Sequence, residues 1–113
     1  MRKDDLVYVG HALDTAKRVN DKVHGLERGG FDRDENLRLA VLHLLQVVGE
    51  AVSRVSRGFR DAHPGVPWAA IAGMRHRIVH DYMDVDEDVV WRTASSEMGP
   101  LIRHLEEVLR ANP

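Results

Sequence analysis

Apolar residues recur along this chain at the three- and four-residue spacing that gathers them on one face of an α-helix. Leu6, Val9, Leu13, Ala16 and Val23 form a first stripe, interrupted by Asn20, and Gly25, Gly29 and Gly30 predict where that helix ends. Asp32, with Glu35 three places on, predicts the N-cap of a second helix. Its stripe runs through Leu37, Val41, Leu44, Val48, Ala51 and Val55, and Gly58 closes it. Pro64-Gly65-Val66-Pro67 reads as a turn, and Pro67 suits the first turn of a third helix that carries Trp68, Ile71 and Ile78 and ends near His80. Met83-Asp84-Val85 reads as a short loop. Asp86 predicts the cap of a fourth helix, whose dipole Glu87 and Asp88 complement. Ala94, Met98, Leu101, Leu105 and Val108 supply its stripe, and Pro100 inside it predicts a kink or a division.

No strand-like alternation of useful length appears. The prediction is an all-α fold: an antiparallel four-helix bundle with a kinked or divided C-terminal helix, in one domain over residues 1–113. Val47, Val52 and Val90 lie at stripe edges, where either intrachain packing or a second copy would cover them.

Composition narrows the function classes. Aromatic residues are 5% of the chain against 43% hydrophobic residues overall, so aliphatic side chains fill most of the core. A net charge of −2 provides no global field toward nucleic acid or membrane, so any phosphate binding rests on local arginines. The absence of cysteine excludes disulfides and thiolate metal sites. No run approaches the roughly 18 apolar residues of a membrane helix. The opening Met1-Arg2-Lys3-Asp4-Asp5 does not resemble a signal peptide, and a cytoplasmic protein without a membrane partner is expected.

The chemistry concentrates in Met74-Arg75-His76-Arg77-Ile78-Val79-His80-Asp81-Tyr82. Arginine grips phosphate oxygens, and histidine exchanges protons near neutral pH. Residues five apart lie about 140° around a straight helix. Arg75 and His80 therefore cooperate only if the helix unwinds near His80 or if the site forms between two copies. Arg75 also falls on the stripe of Trp68, Ile71 and Ile78, where a charge needs a partner such as Glu50 or a water-filled cleft. Taken singly, His80 reads as a histidine at a helix C-terminus and Tyr82 as a packing residue.

His76 and His80 have zinc-ligand spacing, but Arg77 stands where a metalloprotease motif has glutamate, and Arg75 and Arg77 repel a cation. No metal and no cofactor is expected. Arg54, Arg57 and Arg60, with Arg75 and Arg77, form either a solvated surface or a track for a phosphate backbone. The acidic run Asp81, Asp84, Asp86, Glu87 and Asp88 reads first as a helix start. Phosphate-loop and nucleophile-elbow motifs are absent.

Arg75-x-x-x-x-His80-x-Tyr82 resembles the signature of HepT-like toxins of the HEPN superfamily. Val48-Gly49-Glu50-Ala51, the Pro64–Trp68 turn, Ile71, Gly73 and Met74, Val85-Asp86 and Val90-Trp91 extend the resemblance over roughly residues 32 to 109. It implies the toxin of a type II toxin–antitoxin pair: a homodimeric, metal-independent endoribonuclease with RNA as substrate and the two motifs lining a shared cleft. Arg75 and His80 would be catalytic and His76 supporting. His76 stands where the family often has asparagine, which leaves the division of labour between His76 and His80 open. The resemblance also implies a nucleotidyltransferase antitoxin of the MNT type that silences the toxin by attaching AMP to Tyr82. The alternative is a non-catalytic helical adaptor that binds the nucleotidyltransferase or a nucleotide.

Overall fold

The computed structural model describes residues 3–81 and 83–113. Tyr82, the residue assigned to modification, lies outside them. Three long helices dominate. α1 (Lys3–Val23) packs between α3 (Glu35–Ser53) and α8 (Met98–Ala111), and the short helices α5 (Trp68–Ala72) and α6 (Met74–Ile78) close the bundle against α3. Between the long elements lie α2 (Arg28–Asp32), α4 (Arg57–Ala62), a hairpin of β1 (Val79–Asp81) and β2 (Asp84–Val85), and α7 (Glu87–Arg92). The fold is the all-α bundle that the stripes predict.

The stripes become one core. Val9, Leu13, Ala16, Val41, Leu44, Val48, Ile71, Ile78, Leu101 and Leu105 are all buried in it. Val52 and Val90 are also fully buried, so intrachain packing covers them, whereas Val47 stays half-buried. Glycine brings the third helical position close. A Cβ on Gly49 of α3 would lie 3.0 Å from the Ile71 carbonyl oxygen, so the backbones of α3 and α5 meet at a separation that a larger residue would open.

The helix ends differ in detail. α1 stops at Val23 and Gly25 turns the chain with φ 73°, but Gly29 and Gly30 lie inside α2 rather than in a loop. Asp34, not Asp32, caps α3: its carboxylate accepts from the Leu37 N–H at 3.0 Å. Asp32 instead accepts from Arg28, which also pairs with Asp88 at 2.7 Å and so ties α2 to α7. Both hydrogen bonds, Asp32 first, raise the Arg28 guanidinium above its ordinary pKa.

The second stripe also ends early. α3 stops at Ser53, and Ser56 opens α4 by accepting from the Phe59 N–H, so Gly58 lies inside a helix. The nearly buried Asp5 accepts from both the Ser56 N–H and its hydroxyl at 2.8 Å, which anchors this junction to the start of α1. The turn before α5 is pinned by the Trp68 indole N–H, which donates to the His63 carbonyl at 2.8 Å.

Pro100 divides the C-terminal helix as predicted. The five residues Thr93–Glu97, between α7 and α8, form a π-helical turn. A proline has no N–H for the carbonyl four residues back and its ring crowds that carbonyl, and the wider turn relieves both conflicts.

Candidate active site

The predicted third helix is not continuous, and the break positions the candidate residues. Gly73 both ends α5 and starts α6. Met74 consequently takes the core position that Arg75 would hold on an uninterrupted helix, and it is fully buried. Arg75 is exposed instead. Its expected partner is otherwise engaged, because Glu50 accepts from Arg54 one turn along α3 at 3.1 Å. That bond, with a smaller share from Tyr8, raises the Arg54 guanidinium pKa. Arg75 is thus a solvent-facing cation with no acidic partner among the described residues.

His80 has left the helix. α6 ends at Ile78, and His80 sits in β1 of the hairpin, exposed. The Asp86 N–H donates to the Ile78 carbonyl at 2.8 Å, and Val79 pairs with Val85, which turns Asp84 and Val85 from the expected loop into a strand. The helix thus unwinds before His80, which is one of the two geometries that would let Arg75 and His80 cooperate. The unwinding also dissolves the zinc-like pairing of His76 and His80 on one helix, and no three His, Cys, Asp or Glu side chains converge among the described residues.

Asp86 has a second role that the sequence did not disclose. One carboxylate oxygen caps α7 by accepting from the Val89 N–H at 3.1 Å. The other faces His80 Nε2 at 3.8 Å, beyond hydrogen-bond length but within ion-pair range. The only prior signal was the cap itself, because the His80 contact depends on the hairpin folding back.

The five arginines do not form one track. Arg60 donates to the Val52 and Val55 carbonyls and so closes the end of α3, and Arg77 pairs with Glu97 at 3.2 Å. Arg57 lines a separate groove beside α4 and α5. Arg75 stands at a groove of about 490 Å³ with Tyr8 and His11 of α1, His43 and Glu50 of α3, and Arg54 at the C-terminal end of α3. Stripe reading passes over these residues because they lie on the polar flanks of the two helices.

Comparison with known proteins matches residues 12–108 to the family model described as ribonuclease HepT-like. A protein of Caldanaerobacter subterraneus subsp. tengcongensis, named as a candidate RNase, is 33% identical over 103 residues, covering 91% of this chain and 92% of that protein. A candidate RNase of Methanocaldococcus jannaschii is 27% identical, covering 96% of this chain and 90% of that protein. The probable ribonuclease HepT of Thermococcus cleftensis is 32% identical over 75 residues, covering 66% of this chain and 68% of that protein. No solved structure matches.

Proposed function

From the premise that the chain belongs to the ribonuclease HepT-like family, we propose that it is a toxin-type endoribonuclease that cleaves RNA with Arg75 and His80. The observation that carries this reading is the end of α6 between the two residues, which frees His80 from the helical geometry that would hold it away from Arg75. An exposed arginine without an acidic partner is available to a phosphate; one locked in a buried ion pair is not.

His80 takes the proton from an RNA 2′-hydroxyl, whose oxygen attacks the neighbouring phosphorus, or returns a proton to the departing 5′-oxygen as the P–O5′ bond breaks. Arg75 balances the charge that builds on the phosphoryl oxygens. The products are a 2′,3′-cyclic phosphate and a free 5′-hydroxyl. DNA lacks the nucleophile and is spared, and none of these steps calls on a metal. Asp86 acts as a positioning residue, holding the ring of His80 while it caps α7. His76 lies exposed beside Arg75 in the sequence and is the supporting residue.

The working unit is a homodimer in the cytoplasm, its two motifs flanking one cleft. Val7 at 46% exposure and Leu39 at 58% offer apolar surface on α1 and α3 for that contact. An MNT-type nucleotidyltransferase antitoxin silences the enzyme by transferring AMP to Tyr82. Added bulk and negative charge two residues from His80 would compete with RNA.

Digestion of RNA by the purified chain before and after treatment with such a nucleotidyltransferase and ATP tests both halves. Cleavage that disappears together with the appearance of an adenylate on Tyr82 is expected. Cleavage that persists on the adenylated chain contradicts the silencing step. An RNA left intact by the untreated protein contradicts the ribonuclease and favours the adaptor.

A further inference from the structure

We infer that the groove beside Arg75 is a nucleobase subsite for a nucleotide flanking the scissile phosphate, with Tyr8, His11 and His43 as its specificity-determining walls. The inference deepens the ribonuclease reading and rests on it, because Arg75 belongs both to this groove and to the proposed phosphate site.

The groove has the chemistry that a heterocycle needs. Its volume of about 490 Å³ falls among small-molecule sites, which span roughly 300–1,000 Å³. Val47 and Ala51 give it apolar surface against which the faces of a base can rest, and Gln46 supplies an amide for a base edge. Tyr8, His11 and His43 bring three flat rings. Unpaired RNA bases are held by such stacking platforms and read by hydrogen bonds to their edges.

Charge points the same way. Glu50 is the one acid in the lining, and Arg54 already neutralises it. Arg75 remains to take the phosphate that accompanies the base.

A second copy of the chain is the competing occupant, and the lining disfavours it. The large exposed aliphatics on the same two helices, Val7 and Leu39, lie outside the groove. A self-complementary apolar contact would use them, whereas the groove presents rings, an amide and cations.

The test is binding of a labelled single-stranded RNA decamer that is 2′-O-methylated throughout. It lacks the attacking hydroxyl, so affinity is read apart from cleavage. His43 is exposed, which makes His43→Ala a safe truncation. Tyr8 packs partly against the core, so Tyr8→Leu keeps apolar bulk while removing the ring, and Tyr8→Phe restores the ring without the hydroxyl. Removing a stacking ring is expected to weaken the Kd about tenfold, in keeping with the range for base–aromatic stacking. Tyr8→Phe and Arg57→Ala, the latter in the other groove, are expected to stay within about twofold of the parent.

Unchanged affinity in Tyr8→Leu and His43→Ala, with binding lost in Arg75→Ala, overturns the subsite and leaves the ribonuclease standing. A shift in the sedimentation of these variants without a change in RNA affinity assigns the groove to a second copy and also overturns the subsite. An unmodified protein that neither binds the decamer nor cleaves native RNA removes the reading on which the subsite rests.

Discussion

Asp86 joins the fold to the proposed chemistry, and substitution there separates the two. One of its oxygens accepts from the Val89 N–H at 3.1 Å and the other lies 3.8 Å from His80 Nε2. Asp86→Ala removes both interactions. Loss of an N-cap costs about 1 kcal/mol, which for a domain of this size lowers the Tm by about 4 °C. Asp86→Asn keeps a good cap and removes only the charge facing His80, so its stability should stay within about 0.5 kcal/mol of the parent. Once His80 has taken the proton it faces Asp86 as a unit charge, and two unit charges near 4 Å in a water-like medium attract by about 1 kcal/mol, the most that partly exposed pairs deliver. If the pair holds His80 for the reaction, its loss slows cleavage by about fivefold, and no more than about tenfold. Thermal melts and single-turnover cleavage of one RNA, run on both variants, read the two effects apart. The asparagine variant should melt like the parent and cleave slowly, and the alanine variant should show both defects. An asparagine variant that melts like alanine, or cleaves at the parental rate, refutes the assignment.

Other positions give further outcomes. Gly49→Val forces side-chain atoms against the Ile71 carbonyl, and equilibrium denaturation should show a loss of about 1–3 kcal/mol. Ser56→Ala removes the cap of α4 and one of the two bonds to Asp5, so urea unfolding should register about 1–2 kcal/mol. Arg75→Ala, at an exposed position, should leave stability within about 0.5 kcal/mol while RNA cleavage falls about 100- to 1,000-fold. Arg77→Ala, which breaks only the half-exposed pair with Glu97, should cost about 1 kcal/mol or less and spare most of the cleavage.

The legible part of this protein was its helical stripes, because burial on one face of a helix writes a 3.6-residue period into the sequence. Val9 through Val23, Val41 through Val55 and Leu101 through Val108 all line the core that their spacing predicts. Pro100 was legible because a missing N–H is a local fact. The breaks at Ser53–Ser56 and at Gly73 were not legible, because tertiary contacts decide them: Asp5 reaches the first from the far end of α1, and the close approach at Gly49 accompanies the second. The second break moved Arg75 from an apparent core position into solvent and put Met74 in its place. For the proposed site, residue types and spacing marked Arg75 and His80 as candidates, but the contact of Asp86 with His80 depended on a hairpin too short to announce itself. Tyr8, His11 and His43 were hidden for a related reason: they come from helices far apart in sequence, and only packing makes them neighbours of Arg75.

The most direct measurement is the end chemistry of RNA incubated with the purified protein in EDTA, alongside its Arg75→Ala and His80→Ala forms. The unsubstituted chain should leave fragments with 2′,3′-cyclic phosphate and 5′-hydroxyl ends, and both variants should cleave at least about 100-fold more slowly. Abolition of cleavage by EDTA, or full activity in His80→Ala, would refute metal-independent cleavage by this Arg–His pair.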